Sequence, residues 1–417
     1  MFRIKRAAAL KSLFFVFAYL VPELRLVSQP LPEADLMRSM RSASQYAART
    51  LIAPQGYSRC DYDWTRGEWS AYEPAWHTGQ VIWGLLEAWR LTGDTAAWQA
   101  ALRAGRWWRA QRIEGGRLDG FFNAIHGAEV GELINFTTIA DGTPGIFLLS
   151  RLSGDPSYAN VAVSAGRWAM AHLWIPERGL MYDLIDPVSG EVLRDRSPHF
   201  PSDRPLGIRD VARPNTEGFL YADMFRHTGD STFLRFFLRQ CDTLAALQSA
   251  NGFWMDFHPN NREKQRIHPR FNIWYAESLM VAWQLSGERR YLEAALRTAR
   301  ALKAWPKADG AVYYLNRPDG SYDPSSVCGS AVAFMGILWL RLRAAGYGEF
   351  DEDIHRAARW ICANQFADTH PDPNLRGAYF ETWTKKSGLR TQIFVRDIAT
   401  AFGLRFMADY WRAFYEK

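Results

Sequence analysis

The sequence predicts an all-α protein, an (α/α)6 toroid of six inner and six outer helices. Two observations carry this. First, a glycine-ended helix followed by a capped amphipathic helix recurs along the chain: "LTGDTAAWQAALRAGRWW" (91–108) is echoed by "LSGDPSYANVAVSAGRWA" (152–169), "HTGDSTFLRFFLRQCDTL" (227–244) and "LSGERRYLEAALRTARAL" (285–302). A weaker copy, "AAGYGEFDEDIHRAARWI" (344–361), follows. Second, the helix before each glycine is apolar all round and the helix after it carries a stripe, the pattern of a buried rod and a half-buried one.

Each repeat follows from simple chemistry. Glycine at Gly93, Gly154, Gly229, Gly287 and Gly348 can take the left-handed conformation that ends a helix. Asp or Ser next to it can cap the following helix. In the second copy Tyr158, Val161, Ala162, Ala165 and Ala169 form one apolar stripe. The inner helices are expected at 77–92, 139–152, 215–227, 272–286, 326–344 and 393–412. Their outer partners are expected at 33–50, 95–111, 156–173, 231–248, 289–304 and 351–366, the first closing the ring against the last inner helix. An open spiral of helix pairs is the competing arrangement. Residues 32–417 then form a single domain, preceded by a segment at 1–31.

That segment begins "MFRIKRAAALKSLFFVFAYLVPELRLV". Its basic start and apolar run from Ser12 to Val21 suit the core of a signal peptide, but no small-residue cleavage site follows. The run is too short to span a bilayer. The alternative is an extra helix packed on the domain. A cytoplasmic location is favoured, with export through residues 1–25 as the competing expectation.

Composition narrows the function. Hydrophobic residues make up 48% of the 417, enough for a large core, and there are 18 Trp. Trp in excess marks either a thick helical core or a pocket that stacks flat rings, as sugar clefts do. The formal net charge of +6 favours anionic partners. Arg is spread through amphipathic helices without a dense basic stripe, which argues against nucleic acid. The cysteines Cys60, Cys241, Cys328 and Cys362 lie far apart, and the His show no ligand spacing. No metal site, disulfide framework or cofactor is therefore expected.

With short glycine turns at one end of the ring, the inner-helix N-termini and their long preceding loops (112–138, 174–214, 249–271, 305–325 and 367–392) gather at the other. Converging N-termini favour an anionic ligand. This explains why "EPAWHTGQ" (73–80) crowds Trp76, His77 and Gln80 at the head of an apolar helix: they face a shared pocket. The other helix starts add Thr138 and Asp141; Arg213, Asn215 and Glu217; Trp274, Tyr275 and Glu277; and Asp397 beside Arg396. Rings, amides, carboxylates and Arg in one cavity suit sugar recognition and acid–base work.

Each carboxylate has a structural alternative. Asp141 can cap its helix, and Glu217 can answer the helix dipole. Asp397 can be half of an ion pair. Glu277 lies deeper in an apolar helix, where an acid must be paired or face a cavity. Arg213 is the candidate carboxylate clamp, since its fork matches that geometry. His199, in "SPHFPSDRPLGIRD", can reach over the cavity. Trp76, Trp274 and Tyr275 can stack a pyranose ring or simply fill the core.

Over residues 70–345 the chain resembles the unsaturated uronyl hydrolases (glucuronyl and rhamnogalacturonyl). The resemblance lies in the repeated Gly-Asp signature, in "TTIADGTPGIFLLSRLSGDPSYANVAVSAGRWA" and in "YDLIDPVSGEVLRD…RPNTEGFLYADMFRHTGD". It implies an (α/α)6 barrel acting on the unsaturated end sugars that polysaccharide lyases leave. It also implies a mechanism: an aspartate protonates the ring vinyl ether at C4, water adds at C5, and the hemiketal opens and expels the aglycone. His199 and Arg213 match the family's loop histidine and helix-start arginine, with Asn215 where a glutamine falls. With Pro144 in register, the position of the catalytic aspartate holds Thr138, and Asp141 lies nearly one turn downstream. The family's His-Asp pair stands here as His77-Thr78.

The expected function is thus a carbohydrate-active enzyme on acidic, uronic-acid-containing oligosaccharides. A glycoside hydrolase comes first, with Asp141, Glu277 and Glu217 as catalytic candidates. A uronate epimerase or a polysaccharide lyase on the same toroid is the alternative, as is an inactive sugar-binding protein.

Overall fold

In the computed structural model, which describes residues 29–125, 132–197 and 205–416, the repeats form twelve barrel helices. In chain order they are α1 (Glu33–Tyr46), α2 (Pro74–Thr92), α3 (Thr95–Arg109), α4 (Phe136–Ser153), α5 (Pro156–His172) and α6 (Leu220–Thr228). There follow α7 (Ser231–Leu247), α8 (Pro269–Ser286), α9 (Arg289–Leu302), α10 (Gly329–Ala344), α11 (Asp351–Ala363) and α12 (Ile398–Phe414). The even-numbered helices are the inner ones. Each packs on the next around the ring, except that α8 meets the turn at Glu217–Phe219 just before α6, and α12 packs back on α2 while α11 meets α1. The ring closes.

The turns behave as their residues dictate. Gly93, Gly154, Gly229 and Gly287 all sit at positive φ behind an inner helix. Asp94, Asp155 and Asp230 each accept a backbone N–H from two residues on, capping α3, α5 and α7. The fifth turn differs from expectation. Gly346, not Gly348, takes the positive φ, and Gly348 opens a short 3-10 turn.

Three inner helices begin later than the sequence suggested. At the third, Asn215 (φ 51), Gly218 (φ 70) and Phe219 (φ 49) each take left-handed conformations, so α6 starts only at Leu220. At the fifth and sixth, residues 322–327 and 390–396 are strands. The long loops therefore carry small sheets over the inner-helix N-termini. One runs in the order 382–387, 390–396, 61–63 and 68–70, all antiparallel. It joins the first loop to the last across the closing seam.

The inner wall is tightest between α2 and α4. A Cβ on Gly79 would lie 2.0 Å from the Gly142 carbonyl oxygen, and one on Gly145 would lie 2.1 Å from that of Gly79. Only glycine admits this approach, and it presses the Asp141 turn against α2, where Gln80 Nε2 donates to the Asp141 carbonyl. The segment at 1–28 and the expectations placed on it lie outside the described residues. Among those described, no helix is long and apolar enough to cross a membrane.

Candidate active site

A cavity of about 480 Å³ opens over the inner-helix N-termini, walled by the small sheets. Trp76, Thr138, Asp141, Trp274 and Arg396 line it, so these residues, which the sequence placed at helix starts facing a pocket, meet there. Trp76 and Trp274 stand edge to face, ring centres 5.7 Å apart. Trp383 and Phe394, from the hairpin at 382–396, line the wall with Leu315, which is 40% exposed.

Asp141 is 3% exposed, and its Oδ1 is sealed from solvent with no hydrogen-bond partner. Charging such a carboxyl is unfavourable. Burial, reinforced by the nearby Glu217 charge, holds it well above the usual carboxylate range; Arg213 opposes this only in part. Asp141 thus carries a proton into the range where an ordinary Asp has lost it.

A second group of candidates lies directly beneath the cavity. Arg213 sits 3.4 Å from Asp183 and 3.6 Å from Glu217, donates to the His258 carbonyl at 3.3 Å and covers the Phe271 ring at 4.8 Å. Its fork therefore serves the protein's own acids rather than a ligand. Asp183 in turn accepts from the Thr137 N–H and hydroxyl, both at 2.8 Å, and the same hydroxyl oxygen lies 2.6 Å from the Asn215 side chain. Burial pushes the Glu217 carboxyl up, against the pull of Arg213, and pushes the neighbouring Tyr275 phenol up as well. His77 and Asp397 pair at 2.5 Å, both buried. Burial alone would lower the His77 pKa, but Asp397 and Cys60 together raise it well above the usual value.

Glu277 stands apart from the cavity. More than two turns into α8, it is held by Arg341 at 2.8 Å and Arg405 at 3.0 Å, and Arg405 lies 3.3 Å over the Trp83 ring. Of the two ways to keep an acid in an apolar helix, pairing is the one found. His199 lies outside the described residues.

Of the cavity's cations, the sequence marks only Arg396 as a pocket residue. Arg266, Arg270, Arg396 and Lys385 line it. Arg270 is 4% exposed, lies over Trp76 at 5.5 Å and donates to Glu381 at 3.1 Å, while its Nε has no partner. Arg396 pairs not with its neighbour Asp397 but with Asp61, at 2.9 Å, and donates to the Tyr72 hydroxyl at 3.2 Å. His268, at the head of α8, shares this wall. Burial, together with Arg270, Arg396, Arg266 and Arg213, drives its pKa well below the usual value, so the ring is neutral. The hint for Arg266, His268 and Arg270 was their clustering in "RIHPR" just before an inner helix. Nothing in the sequence marked Asp61 or Asp183, which strands bring in.

Solved structures bear on this architecture. The chain superposes on a D-mannose isomerase with a TM-score of 0.65 at 14% identity, covering 92% of this chain and 99% of that one. It matches the cellobiose 2-epimerase of Bacillus thermoamylovorans with a TM-score of 0.66 at 14% identity, over 89% and 98%. It matches the unsaturated glucuronyl hydrolase of Bacillus sp. GL1, responsible for degrading glycosaminoglycan, with a TM-score of 0.64 at 16% identity, over 91% and 97%. The chain has the barrel fold of these sugar enzymes. No family model and no curated protein matches it. At such identities the likeness is one of fold, and chemistry must be argued from the site.

Proposed function

We propose that the chain is a carbohydrate-active enzyme on acidic oligosaccharides, acting as a glycoside hydrolase with Asp141 as the proton donor. The observation that carries this is the Asp141 carboxyl: protonated by its surroundings, at the wall of a cavity that also offers flat rings and cations. General acids need that combination of reach and raised pKa.

In this reading the uronate lies against Arg270, with Arg266 and Lys385 toward the outer sheets. Arg270 takes the clamp role that the sequence suggested for Arg213, which supports the floor instead. Trp76 and Trp274 pack on the sugar faces, and Trp383 with Phe394 meets the next residue of the oligosaccharide. Asp141 gives its proton to C4 of an unsaturated uronide, water adds at C5, and the opened hemiketal releases the aglycone. The proton lost by the attacking water returns the site to its starting charge.

The test is turnover of lyase-generated oligouronides, followed by loss of the conjugated uronate's ultraviolet absorbance. Asp141→Asn should lower kcat by about a hundred- to ten-thousand-fold, the usual contribution of a general acid, while substrate binding persists. Arg270→Met should raise KM for the uronide more than for a neutral sugar. Equal turnover by wild type and Asp141→Asn would overturn the assignment.

A second reading rests on His268. A neutral imidazole and a protonated carboxyl in one cavity form a base and an acid, which is what proton removal and return at a sugar carbon require. That is epimerase or isomerase chemistry, without attack by water. Deuterium entering the sugar from solvent, with no bond cleaved, would select it.

A further inference from the structure

Cys60, His77 and Asp397 come from three separate parts of the chain: the approach to strand 61–63, the first turn of α2 and the residue before α12. All three are buried, and a thiol sulfur, an imidazole nitrogen and a carboxylate oxygen from them lie within 4.8 Å of one another. We propose that these three side chains form a binding site for a divalent transition metal, with zinc the ion that the donor set suits best.

Several features point the same way. The His77 ring is wholly buried, its Nδ1 is 2.5 Å from Asp397 Oδ1, and its Nε2 has no hydrogen-bond partner. With Asp397 on the Nδ1 side, that nitrogen faces the ion, and Glu73 Oε2, 3.7 Å from Nε2, stands where an outer carboxylate fixes a ligand imidazole's tautomer and orientation. Cys60 is held at φ 62, a conformation uncommon for a residue other than glycine. Its sulfur lies 3.3 Å from the Ser58 carbonyl and against the His77 ring. Ser58 also donates its hydroxyl to Asp397, which places a neutral oxygen beside the trio as a fourth donor.

The chemistry selects the ion. Thiolate with imidazole and carboxylate suits zinc, whereas calcium and magnesium take oxygen donors. Zinc bonds of about 2.0–2.3 Å set tetrahedral ligand atoms roughly 3.3–3.6 Å apart. A trio within 4.8 Å closes to that spacing with small side-chain movements, the His77–Asp397 contact lengthening as the ion enters. Binding releases the thiol proton, and thiolate plus carboxylate then balance the two positive charges of the ion. The site joins the first sheet strand, α2 and α12, so the ion would pin the seam where the ring closes. It lies behind the wall that carries Asp61 and Trp76, outside the cavity itself.

The experiment is metal analysis of the full-length protein after dialysis against zinc and then against metal-free buffer. Close to one equivalent per chain is expected, with a melting temperature that rises on zinc addition. Cobalt in place of zinc should give a thiolate-to-cobalt charge-transfer band in the near ultraviolet. Cys60→Ser should abolish that band, and Asp397→Asn should weaken affinity by about tenfold or more. No retained metal and no cobalt band in the wild-type protein would overturn the proposal, and neither measurement depends on a variant folding. A band that survives in a folded Cys60→Ser protein would overturn it too, by placing the metal elsewhere.

Discussion

The two ends of the barrel are built to opposite rules. At the glycine end, Gly93, Gly154, Gly229 and Gly287 turn the chain and Asp94, Asp155 and Asp230 satisfy the N–H groups they expose. At the other end, Asp141 Oδ1, both Glu217 oxygens, His268 Nδ1 and Arg270 Nε are buried without hydrogen-bond partners. Leaving such groups without hydrogen bonds is unfavourable, a cost that the proposed chemistry of the cavity would explain. Two carboxylates sharpen the contrast. Asp141 faces the cavity with a proton held by burial, while Glu277, deeper in the same barrel, has two arginines and no cavity.

That contrast breaks if the two carboxylates behave alike. The largest expected effect is on catalysis: Asp141→Asn loses turnover by two or more orders of magnitude while the protein stays folded. Glu277→Gln does the reverse. The buried Arg405 and the half-buried Arg341 lose their counter-charge, which costs about 3–5 kcal/mol of stability, read as a lower denaturation midpoint. Kinetic constants of the fraction that folds should be near wild type. If Glu277→Gln proves stable but inactive, the roles assigned here are exchanged.

A smaller effect sharpens the view of α2 against α4. Gly79→Ala places a methyl group on a backbone carbonyl that cannot move aside, and should destabilise by about 1–3 kcal/mol or more. Because the same contact seats Asp141, kcat should fall with it. Smallest is the glycine end: Asp94→Ala removes one helix cap, costs about 1 kcal/mol and should leave kcat unchanged.

Acidity separates the two ends as well. The folded state holds the Asp141 proton above the carboxyl's unfolded value. This contribution to stability is therefore complete below the unfolded pKa and lost as pH rises through the raised folded one. Asp141→Asn should melt above wild type at neutral pH, with the gap closing in acid. Activity should fall on the alkaline side as the donor ionises. A melting difference that ignores pH would show that Asp141 is charged throughout.

The barrel was legible in the sequence because its repeats are local. A glycine, a cap and a stripe within some eighteen residues, as in "LSGDPSYANVAVSAGRWA", specify a helix pair regardless of the rest of the chain. Asp141, Thr138, Trp76 and Trp274 were legible for the same reason, since each sits at the head of a helix whose direction the repeat dictates. The other walls were not. Asp61 and Arg396 meet only when strands from opposite ends of the chain pair, and Asp183 reaches Arg213 through loop strands with no periodicity to announce them. Arg213 itself looked like a clamp until the acids beneath it came into view. The depth of Glu277 along α8 could be counted, but the two arginines that answer it come from α10 and α12, and their arrival depends on packing.

The most direct test of the cavity's assignment is to follow an unsaturated oligouronide by NMR in the presence of the wild-type protein. The account predicts that the C4 vinyl proton signal disappears together with release of a shortened oligosaccharide, and that Asp141→Asn slows both equally. A uronide that stays intact, or one whose vinyl group persists while a neighbouring sugar is inverted, would contradict it.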